Sequence, residues 1–440
     1  MNRMIAGMKG LSRYRYLDAY SKLQWLTPCE IKKHQFELVK NMVTHCYATV
    51  PYYRLLFDNL KITPNDMNSF ADYSYIPVLT KEIIKTSDYG LISSKYDNSK
   101  LIANASGGST GTPLTFYHDK EIYETMEANS MLGYSMAGWS GKELFYYFWG
   151  NPREFVKKRS IPDKLKNKLS GRILFNSYNY DECRVNEWIE AICSRKNIFL
   201  YGYTSVLVDI ARQVEKKGLK IYSVRGILST AEKLHSWQRE LLERIFDARV
   251  FDQYGSREVP GIACQCQEGN MHLLPHSAYI EFIDDPENPE SKKIVATCLT
   301  NFAMPFLRYE IGDYARPKEG VCSCGRGFPL MEMDIGRTAD SFVTPQGGTV
   351  YGTFFIRQMY GQDRVRSFQF HQVTPELINL YVVRGEGFGD EDAERLAAIE
   401  AIVRKHLATE MRVVVTFVDE IPKTGGGKHR FIVSDLVRGR

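Results

Sequence analysis

A loop crowded with glycines and hydroxyls is the stretch of this chain best suited to holding an anion. Asn104-Ala105-Ser106-Gly107-Gly108-Ser109-Thr110-Gly111-Thr112-Pro113 lies between the apolar segments Leu101-Ile102-Ala103 and Leu114-Thr115-Phe116-Tyr117, and reads as strand, loop, strand. Glycine lets the backbone take positive φ and approach a ligand closely. Successive N–H groups in such a turn form an anion nest, to which Ser and Thr hydroxyls add donors. The loop is not a Walker A loop, because no lysine follows the last glycine. A flexible surface hairpin is the plainer reading of the same composition.

Two other groups carry chemistry by residue type. Cys264-x-Cys266, His272 and Cys322-x-Cys324-Gly325 supply thiols and an imidazole. Three thiolates with one imidazole suit tetrahedral Zn²⁺. C-x-C is less diagnostic than C-x-x-C, and ordinary reduced cysteines are the alternative. Near the C-terminus, Pro422-Lys423-Thr424-Gly425-Gly426-Gly427-Lys428 puts a lysine on a glycine-rich tip. Such a tip can carry a cation into a cleft and out again. A solvated loop lysine is the commoner fate.

Periodicity shows which elements must position these groups. Between His34 and Leu60, Phe36, Val39, Met42, Val43 and Cys46 recur at helical spacing until Pro51 breaks the run. Ile76 to Lys81 reads as a strand end with Thr80 as N-cap of the next helix. A helix is expected from Glu121 to Ala137 and a buried strand from Leu144 to Trp149. Strands at 198–202, 226–229 and 250–251 then alternate with helices at 205–216 and 234–246, which argues for parallel pairing in an α/β domain. The basic run Arg153 to Arg172 reads either as a solvated linker with a charged helix or as a docking surface for an anionic cofactor tail or an acidic partner. After Gly336 the pattern changes to strands at 367–372, 377–383 and 412–418 around a helix at 390–407 whose Leu396, Ile399, Val403 and Leu407 share one face. The expected division is a large domain, 1–337, and a small α+β domain, 338–440.

With 440 residues the chain is too long for one core. At 44% hydrophobic and 25% charged it is an ordinary globular protein, and a net charge of +5 is too mild to suggest nucleic acid as a partner. No run of apolar residues is long enough to span a membrane, and residues 1–20 lack the apolar core of a signal peptide. Nine cysteines spread along the chain suggest no disulfide framework and fit a reduced, cytoplasmic setting. The oligomeric state, monomer or homodimer, is left open.

Four later segments complete an ordered pattern with the first loop: Phe251-Asp252-Gln253-Tyr254-Gly255-Ser256-Arg257-Glu258, Arg308-Tyr309-Glu310-Ile311-Gly312-Asp313, Gly336-Arg337-Thr338-Ala339-Asp340, and the Lys428 tip. Together they resemble the adenylate-forming acyl ligases. Within these, the chain is most similar to the phenylacetate–coenzyme A ligase family and its relatives from polysaccharide-biosynthesis clusters. The resemblance implies an α/β fold, a large multi-sheet N-terminal adenylation domain with a small mobile α+β C-terminal domain. It implies activation of a small carboxylic acid by ATP with pyrophosphate release, then transfer to coenzyme A. An amine or sugar acceptor, or a catalytically silent nucleotide-binding protein, are the rival readings. Ser106 to Thr112 would hold the pyrophosphate end. Ala231, Glu232, Asp252, Tyr254, Gly255, Ser256 and Arg257 would line the nucleotide, with Tyr254 stacked on adenine. Glu258 would hold Mg²⁺, Asp313 the ribose hydroxyls, and Arg337 would neighbour the nucleotide. Asp340 would be the hinge and Lys428 the catalytic cation. Tyr201-Gly202-Tyr203-Thr204 lies where relatives shape the acyl pocket. Alignment with the family selects Cys266, His272, Cys322 and Cys324 as ligands of a structural Zn²⁺. Two departures stand out: Arg257 replaces the family's usual threonine, and Ala339 replaces an acidic residue.

Overall fold

The computed structural model describes residues 12–87, 90–105, 114–149, 171–177, 180–286, 291–335, 341–346, 349–359, 362, 364–406, 410–422 and 429–436. Strands β1 (Ile102–Ala105) and β2 (Thr115–His118) form an antiparallel pair on either side of the glycine-rich loop. Strands β3 (Leu144–Trp149), β4 (Arg172–Asn176), β5 (Ile198–Tyr203), β6 (Val224–Thr230) and β7 (Val250–Tyr254) are mutually parallel, in the order β4-β3-β5-β6-β7. Helices Glu182–Cys193, Thr204–Lys216 and Ser236–Phe246 connect them. In the second helix Val206, Leu207, Ile210, Ala211 and Val214 are buried, the helical repeat expected of a face lying on a sheet. They pack with Trp188, Ile198, Leu200, Ile227 and Leu242 in one core cluster.

The sheet does not stop at β7. Strands β8 (Ala263–Gln265), β9 (Met271–Leu273), β10 (Ala278–Asp284), β11 (Lys292–Cys298), β12 (Tyr309–Lys318) and β13 (Leu330–Ile335) extend it antiparallel to eleven strands, in the order β10-β11-β12-β13-β9-β8-β7. The architecture is therefore α/β with a mixed main sheet. The expected strand at 250–251 runs on to Tyr254. The expected helix at 234–246 starts at Ser236, because Gln238 Oε1 accepts from the His235 N–H at 3.0 Å and caps the helix there.

Helices Arg13–Leu23, Pro28–Thr49 and Pro51–Leu60 lie before β1. Thr27 and Glu30 form a capping box, and Pro28 takes the first helical position. These helices are stitched to sequence far downstream. The Tyr53 hydroxyl donates to the Pro305 carbonyl at 3.2 Å and accepts from the Leu307 N–H at 2.9 Å. Leu79 exchanges two backbone hydrogen bonds with the Arg308–Glu310 segment, so the expected strand end near Thr80 is a single parallel bridge to Tyr309. Arg308, buried and at φ +49°, pairs with Glu281 at 3.0 Å and donates to the carbonyls of Ser74 and Ile76.

The C-terminal part has its own sheet, β18-β17-β16-β19, built from β16 (Val365–Thr374), β17 (Leu377–Arg384), β18 (Arg412–Phe417) and β19 (Ile432–Ser434). Helix Asp390–His406 places Leu396, Ile399 and Val403 in a separate core with Phe355, Phe370 and Leu380. A hairpin of β14 (Ser341–Val343) and β15 (Thr349–Tyr351) precedes it.

Candidate functional site

In an open α/β sheet, ligands bind outside the carboxyl ends of the parallel strands. Here β5, β6 and β7 end together: Tyr203 is level with Thr230, and Thr230 with Gln253. The residues that follow these ends are the motif residues. Ala231 sits at φ +65°, a conformation costly for a residue with a Cβ. Glu232 turns back, and its carboxylate accepts from Ser205 N–H at 2.7 Å and Ser205 Oγ at 3.1 Å, which fixes the start of helix Thr204–Lys216. The Glu232 carboxylate is thus committed to a helix N-terminus, where its charge is favoured.

Beyond β7 the chain turns tightly. A Cβ on Gly255 would lie 3.0 Å from the Gly261 nitrogen, so glycine permits the close return. Ser256 closes the turn with its Oγ accepting from the Val259 N–H at 3.0 Å. The Tyr254 hydroxyl donates to Asp313 Oδ2 at 2.8 Å, which joins two motifs about sixty residues apart. Gly312, at φ +85°, lets the chain bend just before Asp313. Arg257 Nη1 donates to the Ala105 carbonyl at 3.3 Å, at the end of β1. The departure from threonine therefore puts a cation against the strand that leads into the glycine-rich loop. Glu258 is buried, and its carboxylate makes no hydrogen bond or ion pair among the described residues. Asp252 lies further back along β7. Burial pushes its carboxyl up to about 7, against the pull of Arg239.

The sequence reading also named Ser106, Gly107, Gly108, Ser109, Thr110, Gly111, Thr112, Arg337, Asp340 and Lys428. All lie outside the described residues, as does Ala339.

On the sheet, Tyr201 is half-buried within a ring cluster: Tyr147 at 4.7 Å, Tyr134 at 5.9 Å and Trp149 at 6.2 Å between centroids. Tyr203 stacks on Trp149 at 4.5 Å. The Tyr134 and Tyr147 hydroxyls bond each other, and the Arg172 guanidinium lies over Tyr147 while pairing with Glu127 at 2.7 Å. Sequence reasoning missed this polar group among the rings. Glu127 and Arg172 are far apart in sequence, and nothing local marks them as partners.

Cys266, His272, Cys322 and Cys324 come together, with ligand atoms all within 4.8 Å of one another. Cys266 Sγ and Cys322 Sγ are 3.6 Å apart, and Cys324 Sγ is 3.4 Å from His272 Nε2. Four donors on a tetrahedron around Zn²⁺ would lie about 3.5–3.8 Å from one another. Burial holds the His272 imidazole down to about 4, so its nitrogen lone pair is available to a metal. Its Nδ1 faces the Phe328 carbonyl at 3.3 Å, and Asn270 Nδ2 donates to Cys322 Sγ at 3.1 Å. Such outer contacts orient ligands in metal sites. Cys264 takes no part. Its thiol packs against Gly133, where an added Cβ would lie 2.7 Å from the sulfur. The donor set fits a closed, structural metal.

The CapK C-terminal domain family matches residues 342–435. Protein CapK from Staphylococcus aureus is 25% identical over 380 residues, covering 83% of this chain and 81% of its own. The phenylacetate–coenzyme A ligase of Thermus thermophilus is 25% identical over 414 residues, covering 87% of this chain and 85% of its own. The chain is thus similar along most of its length to proteins carrying these names. Among solved structures, 2-hydroxyisobutyryl-CoA ligase in its postadenylation state with 2-HIB-AMP matches at a TM-score of 0.75 and 16% identity, over 95% of this chain and 92% of that one. The same enzyme in its thioesterification state, with coenzyme A as well, matches at 0.62, over 95% and 93% of the two chains. The chain thus shares its fold with that enzyme across nearly its whole length.

Proposed function

We propose that the protein activates a small carboxylic acid with ATP, releases pyrophosphate, and passes the acyl group to coenzyme A. One observation carries this reading. Tyr254, Asp313, Arg257 and Glu258, the last without a partner among the described residues, gather beyond the carboxyl ends of β5, β6 and β7, beside the strand that enters the glycine-rich loop. Attack by the carboxylate on the α-phosphate builds charge on phosphoryl oxygens, and prearranged donors and cations lower that barrier. Asp313 would accept from the ribose hydroxyls, and Arg257 would face the phosphates. The rings around Tyr201 would receive the acid. Residues 1–337 would hold the nucleotide, and 338–440 would bring Lys428 to the reacting groups, turning about Asp340. Relatives named as coenzyme A ligases support the thioester step.

The test is pyrophosphate release on adding single carboxylates to protein and ATP, followed by a trial of coenzyme A against amine and sugar acceptors. No release with any acid would overturn the reading.

Glu258 fits Mg²⁺, a hard cation that takes carboxylate oxygens and bridges phosphates. Among the described residues its buried carboxylate has no partner, an arrangement that is costly unless a cation arrives. Glu258→Gln should raise the Mg²⁺ concentration for half-maximal pyrophosphate release by about tenfold, the effect of losing one charged contact. An unchanged Mg²⁺ dependence would remove Glu258 from this role.

Cys266, His272, Cys322 and Cys324 would hold one Zn²⁺ in a structural role. Their cluster adjoins Tyr20, Leu23 and Ile31, so the metal would secure the first helices to the sheet. Purified protein should contain about one zinc per chain. Cys322→Ser should lose the metal and several degrees of thermal stability, while its folded fraction binds ATP normally. A metal-free preparation of full stability would refute the site.

A further inference from the structure

We propose that Arg212 is a positioning residue that seats β16 and the residues following Lys428 for acid activation; this rests on the ligase reading above. Arg212 lies on helix Thr204–Lys216, the helix that begins beside the nucleotide cleft. Its guanidinium crosses to the C-terminal sheet. Nη2 donates to the Val365 carbonyl at 3.2 Å and Nη1 to the Arg366 carbonyl. The guanidinium also lies over the Trp237 ring, 5.5 Å from its centroid, which holds the fork in place from its own side.

The acceptors are the first residues of β16, and β16 carries the segment that follows Lys428. Phe370 of β16 donates to the Phe431 carbonyl at 2.8 Å, and Gln369 Nε2 donates to the Arg430 carbonyl at 2.9 Å. His429 Nε2 lies 2.9 Å from the Phe368 carbonyl. A second contact supports the first: His235 meets Phe431 edge to face, with centroids 5.7 Å apart. Arg212, Trp237 and His235 thus form one face that receives both the start of β16 and the residues just after Lys428.

The chemistry of the contact is specific. A planar guanidinium can serve two adjacent carbonyls at once, whereas an ammonium is a single point charge. Because main-chain carbonyls are the acceptors, the contact depends on where β16 lies and not on its side chains. If the small domain turns to present another face for transfer, Val365 and Arg366 leave Arg212. The contact therefore favours one disposition of the domains over the other, and only such a difference can shift their populations. Arg212 would favour activation and leave transfer unaided.

Two measurements test this. Hydrogen exchange of residues 365–372 and 429–434 reads the seating directly and needs no substrate. In Arg212→Ala it should quicken by about tenfold, the scale of losing one or two charge-assisted hydrogen bonds, while β5 to β7 exchange as before. Pyrophosphate release with an acid that the wild type activates should fall by about the same factor. Thioester formation from supplied acyl-adenylate should hold or rise. Arg212→Lys should fall between Arg212→Ala and the wild type in both measurements, and serves in its place if the alanine variant fails to fold. Unchanged exchange at the interface, or equal loss of both half-reactions, would overturn the proposal. A wild type that activates no acid would count against the ligase reading, and the exchange result would still decide the role of Arg212.

Discussion

Lys428→Ala is expected to cut pyrophosphate release by about 10²-fold or more, the usual scale for removing one group that stabilises transition-state charge. The ATP dissociation constant should change little. The groups proposed to hold the nucleotide sit at β5 to β7 and around Asp313, far in sequence from the lysine. The flanks of the tip are anchored: Ile421 is buried, and residues 429–434 are bound along β16. In sequence, residues 422–428 lie between these two flanks. Wild-type pyrophosphate release from the alanine variant would remove Lys428 from the chemistry.

Arg308→Ala should be the most damaging substitution for stability, at about 3–5 kcal/mol, the cost of breaking a buried ion pair by removing one partner. The loss is compound. Glu281 would be left largely buried without its cation, in a setting where desolvation already raises its pKa. The Ser74 and Ile76 carbonyls would lose their donor. Removing both charges with Arg308→Met and Glu281→Leu should recover only part of the loss, because the two carbonyls stay unsatisfied. Unfolding of a chain with several cores is not two-state. The readout is therefore local hydrogen exchange across residues 74–79 beside the rate of thermal inactivation. A variant as protected as the wild type there would refute the assignment.

How much of this was legible in the sequence depended on the range of the signal. The alternation from Ile198 to Tyr254 declares itself, because each strand and each amphipathic helix has its own period and each connection is short. The antiparallel half does not. Ala263–Gln265 and Met271–Leu273 are three residues each, too short to show a period, and β9 pairs with β13, far along the chain. The motif residues could be named by type and order. Only the fold shows that Tyr254 reaches Asp313 and that Arg257 reaches back to Ala105. The metal donors were visible as residue types, but spacing left Cys264 and Cys266 equivalent. Packing separates them: Cys264 fills the space left by Gly133, and Cys266 turns toward Cys322. Arg308 was noticed only as the first letter of a motif, since its partners Ser74, Ile76 and Glu281 carry no local mark.

The stitches made by Tyr53 and Arg308 also govern the order in which a growing chain can fold. Tyr53 needs Pro305 and Leu307, 252 and 254 residues later. At a ribosomal pace of about 5–20 residues per second, the helices before β1 wait roughly 10–50 s for the strands that will cover them. Through that interval Val39, Met42, Val43 and Phe57, all buried in the finished protein, can pack on one another and on residues up to Phe116, but lack the downstream part of their core from Val259 to Met331. Until those strands arrive the apolar faces of these helices are only partly covered, a stage at which a chaperone that shields apolar helices would matter.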